Sequence, residues 1–180
     1  MAILADYLEE QGDPRCAFLR DYLSLWDQAE VLPVQASSSR KKLDLAALGG
    51  HERRLRWFAC LCVRLTPHAE GQRAWELLRV ERARQTVVVA ELYSAELATV
   101  GQLQAARMTD VESRGRWETL AARHTAWVAR TPEVAVQSAL FAAECIVQAI
   151  LASTPRATRS ADRRGLTGWQ QQLARLCQAA

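Results

Sequence analysis

"RVERARQTVVVAELYSAELAT", residues 79–99, is the one stretch of this chain where a β-strand competes with an α-helix. Thr86, Val87, Val88 and Val89 form a β-branched run that suits a pleated strand. The Glu, Ala, Leu and Arg residues around them are stronger helix formers, and they outnumber the run. The segment is therefore predicted to be helical, and that prediction decides the fold class. Elsewhere apolar residues recur every three or four positions and no alternating pattern persists, so the chain is predicted to be all-α, a multi-helix bundle of about seven or eight helices.

Upstream, "LADYLEEQGDPRCAFLRDYLSL" covers residues 4–25. Ile3, Leu4, Tyr7 and Leu8 fall on one side of a first helix, which Gly12 ends. Asp13 is placed to cap the next helix and Pro14 to occupy its first position, where a missing N–H costs nothing. Phe18, Tyr22, Leu25 and Trp26 line one side of that second helix. Two short helices cannot bury their own apolar faces, so residues 1–31 read as a hairpin that must lie on something else. Those four side chains are the candidate partner-binding residues. Residues 32–50, with "PVQASSSRKK" at 33–42, read as an exposed linker. A bundle domain over residues 51–180 follows.

Within that domain "HERRLRWFACLCVRL", residues 51–65, predicts a helix with Leu55, Phe58, Cys62 and Leu65 on its apolar side. Arg53, Arg56 and Arg64 lie along one flank. Thr99 and Gln102 have capping-box spacing, Gly115 marks a bend, and Thr131-Pro132-Glu133 makes a helix start. The segment from Pro132 to Ser153 is long enough to span a bilayer. Its Glu133, Gln137, Glu144 and Gln148 gather within about 60° of the helix circumference. A narrow polar stripe describes the central helix of a soluble bundle. "STPRATRSADRRG", residues 153–165, reads as a second basic loop, after which Thr167 and Gln170 are spaced to cap a last helix.

Charge is distributed unevenly. The 180 residues carry a net +3. Residues 1–30 hold two Arg against seven Asp and Glu, and residues 31–84 hold eleven cations against five anions. Arg40, Lys41, Lys42, Arg53, Arg54 and Arg56 form one basic group, and Arg156, Arg159, Arg163 and Arg164 another. Brought together they would neutralise phosphates, with Trp57 or Trp169 stacking on a base, so they are the candidate nucleic-acid-binding residues. Five cysteines, an odd number with no signal peptide, point to free thiols and a cytoplasmic location. Cys60 and Cys62 project about 200° apart on a helix and cannot share a metal. His51, His68 and His124 are scattered. No catalytic, cofactor or metal site is expected, and the chain does not read as an enzyme.

Two stretches resemble known families. Leu4, Ala5, Asp6, Leu8, Glu9, Glu10, Gly12, Asp13, Pro14, Arg15, Phe18 and Arg20 match the "LADWLEERGDPRAEFIRLQ" type of segment. That segment belongs to the repeat-companion domain of planctomycete bacteria. The second stretch is similar to an Ala-rich helical family of the same bacteria. It matches at Arg54, Leu55, Arg56, Phe58, Ala59, Cys60, Cys62, Glu81, Arg82, Arg84, Val87, Val89, Ala90, Glu91, Tyr93, Leu97, Ala98 and Thr99. The resemblances imply a helical, non-catalytic module that accompanies other domains, and they supply no functional residues. The expected role is a helical protein-interaction or accessory subunit that buries helix surface against a protein partner. The alternative is a small nucleic-acid-binding accessory subunit.

Overall fold

A computed structural model of the chain describes residues 1–33, 45, 48, 51–68, 71–128, 131–154 and 159–180. Its helices are α1 (Ala2–Glu10), α2 (Arg15–Glu30), α3 (Glu52–Leu65), α4 (Glu81–Ser94), α5 (Val100–Ala106), α6 (Asp110–Ser113), α7 (Trp117–Thr125), α8 (Pro132–Ser153) and α9 (Arg159–Ala179). A 3₁₀ turn, Ala74–Leu77, precedes α4. No strand occurs among the described residues, and the fold is an all-α bundle with an N-terminal helical hairpin.

Residues 79–99 resolve in favour of the helix. Thr86 and Val87 are buried against the bundle, and the Thr86 hydroxyl donates to the carbonyls of Arg82 and Ala106. That second bond engages an orphan carbonyl at the end of α5. The helix closes in a Schellman arrangement: Leu97 N–H bonds to Leu92 O at 2.8 Å and Glu96 N–H to Tyr93 O at 3.0 Å. Glu96 takes the left-handed position there, φ 62°, where glycine is usual. A residue with a Cβ pays roughly 1–2 kcal/mol for that conformation.

The core is centred on α3 and α8. Every residue of α3 from Leu55 to Val63 is buried, including Arg56. α3 is ringed by α2, α4, α7, α8, α9 and the 3₁₀ turn, so it has no solvent face along its middle. α8 packs most extensively on α7 and α3. It is long and apolar enough to cross a membrane by composition, yet 61% of its most apolar window is buried inside the bundle. Its exposed side carries Glu133, Gln137 and Glu144, as the polar stripe predicts, with Val134 and Phe141 between them.

The corner between α1 and α2 follows its sequence chemistry. Gly12 has φ +67°, and Pro14 is already helical at φ −61°. Asp13 Oδ1 accepts from the Arg15 backbone N–H at 2.9 Å, and the Arg15 guanidinium closes onto the same carboxylate. Those bonds hold the Asp13 carboxyl down at about 2, from an ordinary 3.8. Because the folded value is depressed, this contribution is complete above the ordinary carboxylate range and disappears as pH falls through about 2. NMR titration of the Asp13 carboxyl carbon is expected to show a midpoint near 2. In Arg15→Ala the midpoint should return toward the ordinary value, and an unchanged midpoint would refute the assignment.

Three details depart from the sequence reading. In α1, Ile3 and Tyr7 are 86% and 57% exposed, and the helix buries Ala5 and Leu8 instead. Ala5 and Leu8 pack with Leu19 of α2 and with Ala95 in a small cluster, and Ile3 and Tyr7 stay on the outer side. α9 begins at Arg159, so Thr167 and Gln170 lie inside it and are not caps. Thr167 Oγ1 bonds back to Arg163 O at 2.9 Å, and Gln170 Nε2 crosses to Ala143 O of α8 at 2.9 Å. Finally, Leu45 and Leu48, from the segment read as a linker, are both buried in the main core. The rest of residues 34–50 lies outside the described residues.

Candidate functional site

A buried polar arrangement lies where the hairpin meets the bundle. Glu91, on α4, is 2% exposed. Its carboxylate accepts two bonds from the Arg64 guanidinium, at 2.9 and 2.8 Å, and one from the Tyr22 hydroxyl of α2 at 2.8 Å. Burial, and then the neighbouring carboxylate, push the Tyr22 hydroxyl well above the usual phenol value. The Arg64 guanidinium stacks on Trp75 at 3.5 Å and faces Trp26 at 5.5 Å. Glu91 thus accepts three bonds from within the fold while buried from solvent. The arrangement fastens α2 to α3 and α4. It is structural chemistry.

Arg56 makes a second such centre. Its guanidinium donates to Thr125 O at 2.7 Å and Trp127 O at 3.0 Å, pairs with Glu52, and lies over the Trp127 ring at 4.3 Å. The two carbonyls belong to the end of α7, which α-helical bonding leaves unsatisfied. The same device recurs. Arg82 donates to Ala105 O at the end of α5, and Arg84 to Leu78 O after the 3₁₀ turn. Arg73 reaches Leu65 O and Glu30 O at the ends of α3 and α2, and Arg15 reaches Glu96 O beyond α4. A cation at a helix C-terminus is favoured by the dipole as well as by the hydrogen bond. Arg15, Arg56, Arg73, Arg82 and Arg84 are therefore used at or just beyond helix ends.

The candidate partner-binding residues turn inward. Tyr22 and Leu25 are buried in the main core, while Phe18 and Trp26 are half-buried against it. Arg53 covers the Phe18 ring at 3.6 Å, and the Trp26 indole donates to Glu30 at 3.3 Å. The face read as available to a partner is the face on which the hairpin docks to its own bundle, so these four residues do not form a free surface.

The basic residues stand in different environments. Arg56 is withdrawn as a phosphate ligand, because it is fully buried and its donors are occupied. Arg53 pairs with Glu96, and Arg163, 52% exposed at its side chain, pairs with Glu144 at 2.6 Å. Arg54 is half-buried and Arg164 exposed. Arg40, Lys41, Lys42 and Arg156, and the Arg159 side chain, lie outside the described residues. Among the described residues no bond or ring contact joins the α3 group to the α9 group.

Of the other reactive types, Cys60, Cys62, Cys145 and Cys177 are buried and Cys16 is half-buried. Burial raises the first two thiols well above their usual value and pushes Cys145 and Cys177 up to about 12. Such thiols are not nucleophiles near neutrality. His124 stacks on Phe141 at 4.5 Å. His68 Nε2 lies 3.5 Å from Ser153 Oγ, but that hydroxyl already donates to Ile150 O at 2.7 Å. No group of three metal-ligating residues occurs among the described residues.

The described residues also form a surface concavity. A groove of about 350 Å³ runs between α2 and the end of α9, lined by Asp21, Ser24, Leu25 and Gln28 on one side and by Leu176 and Ala179 on the other. Sequence reasoning missed it, because the i, i+3, i+7 row of Asp21, Ser24 and Gln28 looks like an ordinary solvated face. No family model, curated protein or solved structure matches the chain.

Proposed function

We propose that the chain is a non-catalytic helical module of the cytoplasm that acts by burying helix surface against a protein partner. The observation that carries this reading is the outward pair on α1: Ile3 and Tyr7, one turn apart, 86% and 57% exposed. They project from a hairpin that buries Leu8, Leu19, Tyr22 and Leu25. Around them the chemistry-bearing groups are engaged with the fold itself, as with Glu91, Arg64 and Tyr22. Residues in the stretches that resemble the two planctomycete families support the same reading, since their side-chain bonds serve architecture. Arg20 ties Asp6 and Glu9 of α1 to α2, and Thr99 and Gln102 form a reciprocal capping box.

Removing residues 1–30 would be a poor test, because it would strip Tyr22, Leu25 and Ala29 from the main core. Point substitutions are cleaner. Tagged full-length protein carrying Ile3→Glu and Tyr7→Glu should fold normally, since exposed positions change stability by about 0.5 kcal/mol or less. It is expected to lose the proteins that co-purify with the wild type from the native host. Recovery of the same proteins by the variant would overturn the proposal.

A further inference from the structure

We propose that the turn after α4, Ala95-Glu96-Leu97, is a releasable catch for the near end of the hairpin. From it α1 and the first turn of α2 lift in a local opening, while the rest of α2 stays docked. The two ends of the hairpin are held differently. At the far end Tyr22, Leu25 and Ala29 belong to the main core, and the Tyr22 hydroxyl is bonded to buried Glu91. At the near end a separate small cluster has Ala5, Leu8, Leu19 and Ala95 as its buried members. Three of those four are the hairpin's own, and α1 packs on no helix but α2 to a comparable extent. Met1 and Phe18 lie half-buried between the two clusters. The polar ties of this end converge on Glu96. Its carbonyl accepts from the Arg15 guanidinium at 3.4 Å, and its carboxylate pairs with Arg53, which lies over the Phe18 ring at 3.6 Å. That pair is partly exposed, so it holds less firmly than the buried bond of Tyr22 to Glu91. Glu96 is also the one residue other than glycine with a positive φ among the described residues. Glycine would relieve the backbone there but could not engage Arg53, and strain kept in this way points to a contact the fold uses. An end with few buried contacts to the bundle and solvated polar ties opens at a lower free energy than the core. The opening carries Ile3 and Tyr7 with it, yet the inference requires no partner.

Amide hydrogen exchange of the full-length protein tests this, read by mass spectrometry over residues 2–10, 15–19 and 22–30. In the wild type the first two segments should exchange faster than the third. Arg53→Ala removes both the ion pair and the ring contact, and should speed exchange in the first two segments about tenfold. Residues 22–30 should be unaffected. Glu96→Gly should speed the same two segments about threefold, while the urea midpoint holds or rises because the turn is relieved. Arg20→Ala breaks only ties between α1 and α2 and should move residues 2–10 alone, which separates fraying of α1 from lifting of the hairpin end. Equal exchange of all three segments in the wild type would overturn the proposal. So would exchange in residues 15–19 that neither Arg53→Ala nor Glu96→Gly moves. A lower urea midpoint in Glu96→Gly, with faster exchange in all three segments, would also overturn it and assign Glu96 to the stability of the whole fold.

Discussion

Arg56→Ala is expected to destabilise the protein by about 3–5 kcal/mol, the range for removing one member of a buried charged network. Alanine would leave the carbonyls of Thr125 and Trp127 without their donor at the end of α7, and Glu52 without its partner. It would also open a void between the Trp127 and Tyr93 rings, over which the guanidinium lies at 4.3 and 4.9 Å. A typical domain has only about 5–15 kcal/mol to lose, so the urea midpoint should fall by a large fraction. Arg56→Lys is the informative companion. It keeps the charge but lacks the planar fork that spans two carbonyls and stacks on an indole. The lysine variant should therefore recover only part of the loss. If Arg56→Ala moved the midpoint by no more than a surface substitution does, the role assigned to this side chain would be wrong. A phosphate ligand would behave in that way.

The second large effect is expected at Glu91. Glu91→Gln removes the carboxylate that receives the Arg64 fork and the Tyr22 hydroxyl, leaving a guanidinium only 14% exposed at its side chain without its counter-charge. The expected cost is again about 3–5 kcal/mol. Replacing Glu91 and Arg64 together with leucine should cost markedly less than the sum of the single changes, because no charge is then stranded. Tyr22→Phe isolates the hydrogen bond that crosses from hairpin to bundle and should cost about 1–3 kcal/mol. Denaturant unfolding of Glu91→Gln, Tyr22→Phe, the double-leucine variant and its two single-leucine parents completes the cycle. Additive losses would show that the three side chains do not act as one unit, and a silent Tyr22→Phe would show that the hairpin is held by packing alone.

Much of this was legible from local patterns. A capping box at Thr99 and Gln102, Gly115 at φ +75° and the Thr131-Pro132 helix start are decided by short-range hydrogen bonding and steric limits. They hold wherever the segment sits. The Gly12-Asp13-Pro14 corner is equally local. The capping box of Thr109 and Glu112, whose carboxylate accepts from the Thr109 N–H at 2.7 Å, had the same signature and could have been found the same way.

What the chain's own order of residues determined, then, is the helical class and the starts that carry a local cap, α9 excepted, because periodicity and caps act over a few neighbouring positions. Which side of a helix faces inward, and what a charged residue is for, depended on residues far along the chain. Arg56 is the clearest instance: its spacing with Arg53 and Arg64 describes a basic flank, and only the end of α7, some 70 positions away, turns it into a buried cap. Phe18, Tyr22, Leu25 and Trp26 likewise read correctly as an apolar side seeking a surface. The tertiary structure decided that the surface is the protein's own, because α3 and α9 present matching apolar faces and Glu91 an acceptor for the one hydroxyl.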